Sequence, residues 1–170
     1  EGGLGTLEPR KPTFENIALY EEKGVEYFIK EPEHFRNKKV VIAGGGDSAL
    51  DWSIFLAEIA SEVTLIHRRN EFRGALDSVE KVQVLKDAGK INLITPAEVT
   101  GIKGDGHVSA IVIEKDGETF DLETDYFIPL FGLTPKLGDL ANWGLEIEKN
   151  AIVVNNALDY QTNIPGVYAI

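Results

Sequence analysis

Lys38-Lys39-Val40-Val41-Ile42-Ala43-Gly44-Gly45-Gly46-Asp47-Ser48-Ala49 is the stretch on which the fold turns. Its first half is a short, β-branched apolar run of the kind that forms a strand buried on both faces. It runs straight into three glycines. The last six residues have the form G-x-G-x-x-A. In that form the first glycine permits a tight turn, the second lets a backbone approach a pyrophosphate, and the small third residue lets helix and strand pack closely. Beyond the turn, Ser48 to Ile59 sets Ala49, Trp52, Ile54, Leu56 and Ile59 mostly at helical spacing. Glu62-Val63-Thr64-Leu65-Ile66-His67 is a second buried-strand candidate. Strand, glycine turn, helix and strand thus fall within about 30 residues, the size of a βαβ unit. Three glycines after a strand also serve a plain tight turn, but here the flanking elements supply the context that a dinucleotide site requires. Free N–H groups and the positive dipole end at the helix start favour an anion. Gly44, Gly45, Gly46, Asp47, Ser48 and Ala49 are therefore candidate binding residues. Asp47 or Ser48 is expected as the N-cap, which accounts for a carboxylate so close to an anion site.

Working outward, Val25 to Ile29 is a short strand candidate, and residues 1–12, rich in glycine and proline, have linker composition. A second helix is expected over Asp77 to Ala88, with Val79, Val82 and Leu85 on one face and Gly89 as its stop. Ile91 to Ile94 supplies a third strand. From Pro96 the texture changes to short alternating pieces, Val99 to Ile102, Val108 to Glu114 and Thr119 to Leu122. Gly104-Asp105-Gly106 and Lys115-Asp116-Gly117 separate them, and Asp-Gly turns between alternating runs predict a three-stranded antiparallel meander. Tyr126 to Phe131 reads as another buried strand, ended by Gly132 and Pro135; Leu137 to Trp143 reads as a short helical turn, and Val167 to Ile170 as the start of a final strand. The expected architecture is α/β: a Rossmann-like, doubly wound parallel sheet with helices on one face and the β-meander on the other.

The chain has 170 residues, enough for one ordinary domain. Its 43% hydrophobic and 26% charged residues are those of a globular protein rather than a disordered or fibrous one. Seventeen Lys and Arg against 28 Asp and Glu leave a net charge of −11, which argues against nucleic-acid and anionic-membrane partners. No apolar run approaches the roughly 18 residues that span a bilayer, so a soluble, cytoplasmic protein is expected. With zero cysteines and three widely spaced histidines (His34, His67, His107), neither thiol chemistry nor a metal site is expected.

On so acidic a chain, a phosphate ligand needs a local concentration of positive charge. In a βαβ unit the end of the second strand lies beside the adenosine ribose, where an Asp or Glu about 20 residues after the glycines selects NAD or FAD. At that place this chain has His67-Arg68-Arg69, with Arg73 four residues further on, and no carboxylate before Glu71. Guanidinium groups match a phosphate in bidentate fashion, so a ribose 2′-phosphate is the natural guest and NADP(H) the expected cofactor. A basic loop after a strand is otherwise a common solvated feature; its register with the glycine turn favours the phosphate. His67 stays open between stacking on adenine, contacting the phosphate and merely finishing the strand. No side chain is needed as acid, base or nucleophile, so no catalytic residue is assigned.

GGGDSALDW at 44–52, LIHRRNEFRG at 65–74 and NIPGVYAI at 163–170 together resemble the NADPH-binding domain of the thioredoxin-reductase-like flavoproteins. Within that group the chain is most similar to the ferredoxin–NADP reductases of thioredoxin-reductase type, over about Gly24 to Ile170. The resemblance implies that Gly44 to Ala49 cradle the NADPH pyrophosphate. It implies that His67, Arg68, Arg69 and Arg73 hold the 2′-phosphate, and that Gly132 lies near the nicotinamide half. It further implies FAD in the full-length protein, a homodimer, and ferredoxin or flavodoxin as the electron-transfer partner.

Thioredoxin reductases carry a Cys-x-x-Cys just before the glycine-turn strand, whereas Tyr27 to Arg36 here holds none. Without a dithiol, electrons cannot reach a disulfide by that route, which favours a one-electron carrier. The resemblance places the flavin-binding glycine motif before Glu1 and a flavin-contacting Gly-Asp pair after Ile170. The chain is accordingly expected to be a fragment without a complete flavin site, with 1–24 as linker, 25–160 as the NADP(H) domain and 161–170 as the return to the flavin domain. Two other readings stand beside this one: a nucleotide-binding regulatory module, and a flavin reductase with a different electron acceptor.

Overall fold

The computed structural model describes residues 7–135, 147–148 and 151–152. The first described element is a short strand, β1 (Leu7–Pro9), and a compact unit, Lys11–Gly132, follows. Within that unit β2 (Lys39–Ala43), α1 (Asp47–Leu56), β3 (Glu62–Ile66), α2 (Leu76–Asp87) and β4 (Asn92–Ile94) follow in order. Next come β5 (Glu98–Gly104), β6 (Val108–Lys115), β7 (Glu118–Glu123) and β8 (Tyr126–Pro129). Strands β4, β3, β2 and β8 lie side by side in that order, all parallel, with Ala43 level with Ile66 on one side and Pro129 on the other. The order reverses at β2: the chain winds outward through β3 and β4, then returns to the opposite side of β2 with β8. Ligands of open α/β sheets bind outside the carboxyl ends of strands at such a switch point.

Period-two alternation divides the sheet residues between two cores. Val40, Ile42, Val63, Leu65 and Ile128 face one way and pack with Ala49, Leu50 and Leu56 of α1 and Val82 of α2. Their neighbours Val41, Ala43, Ile66 and Phe127 face the other way, against Ile102, Val108, Ile111 and Ile113 of the meander. Helices therefore cover one face and the antiparallel sheet β5-β6-β7 the other, as the sequence predicts. In the β6–β7 turn, Asp116 and Gly117 both have positive φ (53° and 79°), the type I′ geometry that an Asp-Gly pair favours. The amino ends of β2 and β8 are tied by polar contacts. The Lys39 N–H donates to Asp125 Oδ2 at 2.9 Å, and the buried Thr124 hydroxyl donates to the Lys39 carbonyl at 3.0 Å.

Two expected features differ. Val25 to Ile29 forms no strand: Val25 makes a single parallel bridge to Phe127, and the chain then turns into a 3-10 turn at Pro32–Phe35. Only Val25 of that stretch is fully buried, and Phe28 is about half exposed, so just one residue has a sheet to pair with. A 3-10 turn at Ile17–Tyr20 carries Ile17 into the meander-side core, which outweighs the neighbouring polar composition. The strand expected over Tyr126 to Phe131 ends at Pro129, although the Leu130 N–H still donates to the Ala43 carbonyl at 2.8 Å.

Separately, β1 pairs antiparallel with β9 (Leu133–Pro135), and Arg10 Nε donates to Thr134 Oγ1 at 2.9 Å. A two-residue pairing joins β10 (Ile147–Glu148) to β11 (Ala151–Ile152). The helical turn expected at Leu137 to Trp143 and the strand expected at Val167 to Ile170 lie outside the described residues. No helix among the described residues is long and apolar enough to cross a membrane.

Ile42 is fully buried in the central strand. Ile42→Ala is expected to destabilise the chain by about 2–5 kcal/mol in urea unfolding, whereas Phe120→Ala on the exposed side of the meander should cost well under ~1 kcal/mol.

Candidate functional site

The carboxyl end of β2 turns at Gly44, whose φ of +147° and close approach to the Leu130 carbonyl leave no place for a Cβ. Ala49, the small third residue of the motif, sits 3.1 Å from where that Cβ would be, so the first turn of α1 packs directly on the glycine. Gly46 is different. Its backbone is extended (φ −94°, ψ −177°), and a Cβ added there would meet nothing within 4 Å. No packing within the described residues requires glycine at this position. The bare, outward-facing backbone at the start of α1 is what a pyrophosphate would need to approach the helix N–H groups.

Gly46 itself is the N-cap residue of α1, and no side chain caps the helix. The expected capping by Asp47 or Ser48 is thus corrected: both already lie inside the first turn. Asp47 Oδ1 instead accepts a hydrogen bond from the Ala75 N–H at 2.7 Å, at the start of α2. The carboxylate serves a second helix N-terminus rather than its own. One turn along, Asp51 Oδ1 accepts from the Ser78 hydroxyl at 2.8 Å.

Between β3 and α2 runs the loop 67–75, and the glycine turn holds it. The Arg73 N–H donates to the Gly45 carbonyl at 2.7 Å. The His67 ring lies where any side chain at Gly45 would have to go, so Gly45 is small because of the histidine. The His67 N–H donates to the Ile94 carbonyl and its own carbonyl accepts from Ala97, which fixes the residue at the end of the sheet. The residue is 5% exposed, and its ring stacks on Phe72 at 5.2 Å. Nε2 lies 2.9 Å from the Glu71 carbonyl; because a carbonyl only accepts, Nε2 carries the proton. His67 thus sits at the end of β3 with its side chain buried within the loop.

Arg68, Arg69 and Arg73 are exposed, and among the described residues their guanidiniums make no ion pair or side-chain hydrogen bond. Three of the chain's five arginines therefore stand on one short loop with unused donors, beside the glycine turn. Burial pushes the His67 pKa below its ordinary value of 6.5, and Arg73, Arg68 and Arg69 push it further down. The carbonyl bond opposes both effects. Gly132, with φ +93°, follows β8 on the same edge of the sheet as Gly44, and a Cβ added there also meets nothing. The donors of this arrangement suit an anion with two separated phosphate groups: bare helix N–H groups for one, guanidiniums for the other.

Three members of the site are not among the sequence candidates, Glu71 through its carbonyl, Phe72 and Gly74, and Asp47 is among them in a different role, as a tie between helices. A signal existed for one pair. Asp47 and Asp51 are four residues apart, on one face of α1, as ties to a neighbouring helix require.

His67 makes stability depend on pH in a definite direction. Its folded pKa is lowered, so the unfolded chain takes up a proton that the folded loop refuses. The contribution is fully present above the unfolded value, about 6.5, and is lost as pH falls below it. Urea unfolding from neutral to mildly acidic pH is expected to show this loss, and His67→Phe, which keeps the stacking on Phe72, should remove that component.

Comparison with known proteins agrees with the geometry. Residues 8–170 match the family model described as pyridine nucleotide-disulphide oxidoreductase. The ferredoxin–NADP reductase of Flavobacterium johnsoniae is 76% identical over 99% of this chain and 48% of its own length. That of Rickettsia felis is 44% identical over 99% of this chain and 50% of its own. Among solved structures, the thioredoxin reductase of Lactococcus lactis superposes with a TM-score of 0.81 at 28% identity, covering 96% of this chain and 54% of the other. The thioredoxin reductase of T. acidophilum does so with 0.80 at 28% identity, covering 95% and 53%. The chain spans about half the length of the relatives it matches. It belongs to the pyridine nucleotide-disulphide oxidoreductase family.

Proposed function

We propose that this chain is the NADP(H)-binding part of a flavoenzyme that passes electrons between NADPH and ferredoxin or flavodoxin through FAD. The observation that carries the reading is the loop 67–75. It presents three guanidiniums, unpaired among the described residues, beside a glycine turn whose Gly46 backbone is open to a ligand. The high identity to proteins named ferredoxin–NADP reductase supports the choice of acceptor, as does the absence of cysteine from the whole chain.

In this reading the N–H groups at the start of α1 hold the pyrophosphate. Arg68, Arg69 and Arg73 hold the 2′-phosphate by charge-assisted bonds, and Gly132 leaves room for the nicotinamide half. His67 keeps the loop in shape from within. When bound, nicotinamide and flavin supply the redox chemistry, and the protein supplies binding, orientation and electrostatics. No residue of this chain is required to move a proton. The full-length protein is proposed to be cytoplasmic and homodimeric.

Calorimetric titration of the chain with NADP, NAD and 2′-phospho-AMP tests the assignment. Arg68→Ala and Arg69→Ala should each weaken NADP and 2′-phospho-AMP by about 1.5–3 kcal/mol while changing NAD little. Equal losses for NADP and NAD would mean that the arginines do not read the 2′-phosphate.

A further inference from the structure

A carboxylate at the first helical position beside an anion site is an electrostatic liability, since it would repel the phosphates that the helix start attracts. Asp47 occupies that position. Its Oδ1 is committed to the Ala75 N–H at 2.7 Å, and Ala75 directly follows Arg73-Gly74. Gly74 makes the approach possible. Its backbone lies outside the left-handed region, so conformation does not demand glycine there. Space does: an added Cβ would collide with Leu50 and come within 3.1 Å of Asp47 Oδ1 and 3.3 Å of the Asp47 nitrogen. The loop is thus fastened to the glycine turn at two points, Arg73 N–H on Gly45 and Ala75 N–H on Asp47, with the guanidinium-bearing residues at or before the fasteners.

We propose that Asp47 is the positioning residue that holds the guanidinium loop in register with the glycine turn, and thereby sets the preference for a 2′-phosphorylated dinucleotide over its unphosphorylated form. The inference rests on the reading of the loop given under the proposed function. Without the Asp47 tie, the backbone bond left between loop and turn among the described residues is Arg73 on Gly45, and the loop's exit toward α2 is released. The loop backbone that carries three exposed arginines is then less firmly fixed against the turn, while the N–H groups at the start of α1 stay in place. Affinity for the 2′-phosphate should fall and affinity for the rest of the dinucleotide should not.

The test is calorimetric titration of the 170-residue chain with NADP and NAD, comparing wild type with Asp47→Asn, Asp47→Ala, Gly74→Ala, Asp51→Ala and Arg68→Ala. Circular dichroism verifies that each variant is folded. Asp47→Asn keeps an acceptor oxygen for Ala75 and removes the charge, so it should tighten both dinucleotides alike and leave the NADP-to-NAD preference at the wild-type value. Asp47→Ala and Gly74→Ala should each lower that preference by about tenfold or more, with NAD binding not weakened. Asp51→Ala cuts the neighbouring tie to Ser78 without touching the loop and should leave the preference unchanged. The proposal is overturned if Asp47→Ala retains the wild-type preference, if it weakens both dinucleotides equally, or if Asp51→Ala lowers the preference as much. Arg68→Ala separates the two levels. If it lowers the preference and Asp47→Ala does not, only the positioning role fails. If it also leaves the preference unchanged, the reading of the loop itself fails and the proposal falls with it.

Discussion

The Arg73 N–H meets the Gly45 carbonyl at 2.7 Å, and this bond, with that of the Ala75 N–H to Asp47, joins two segments that are far apart in sequence. One is the turn after the first strand of the parallel sheet; the other is the link between the second strand and the second helix. A short backbone bond between them requires both to be small and close. The crowding of His67 against Gly45 and of Gly74 against Leu50 follows from it. The glycines of this region thus do different work. Gly44 turns the chain, Gly45 and Gly74 admit neighbours, and only Gly46 is left bare toward the outside.

Charge distribution gives this geometry its meaning. The chain carries a net charge of −11, and several of its described cations are paired: Lys11, Arg36, Lys39, Lys81, Lys103 and Lys115 each lie against a carboxylate. Such exposed pairs contribute little to stability, about 0–1 kcal/mol each, but they do neutralise the cations that form them. The arginines of the loop after β3 are not neutralised. The nearby carboxylate of Asp47, which could have cancelled them, is turned to a backbone N–H at the start of α2. Nor can His67 add to the positive field at neutral pH, because burial and the three guanidiniums keep it uncharged. Among the described residues, the loop after β3 therefore carries its positive charge on three side chains with free donors.

Much of this was legible in the residues. The parallel strands, both helices, the meander and the glycine turn follow from β-branched runs, 3.6-residue spacing and Asp-Gly turns, because each of those signals is local. The loop's arginines were visible for the same reason. What was not legible came from contacts distant in sequence. Asp47 reads as an N-cap from its neighbours, yet its partner is 28 residues away. His67 beside two arginines reads equally as a ligand or as the end of a strand, and only its contacts with β4 and Phe72 show it enclosed. Val25 reads as the head of a strand, but the sheet offers it one bridge at the edge of β8. Ile17 sits in a polar, proline-flanked stretch, and only the meander's need for cover draws it inside.

Phosphorus NMR of bound NADP, followed as a function of pH, tests the central claim most directly, because the 2′-phosphate and the pyrophosphate give separate resonances. A phosphate monoester ordinarily takes up its last proton near pH ~6. Held by unpaired guanidiniums, the 2′-phosphate should stay dianionic to clearly lower pH, with its resonance displaced from that of the free cofactor, and the pyrophosphate signal should shift as well. A 2′-phosphate that titrates as it does in free solution while the pyrophosphate signal shifts would contradict the account. It would mean that the glycine turn binds the dinucleotide without help from the arginine loop.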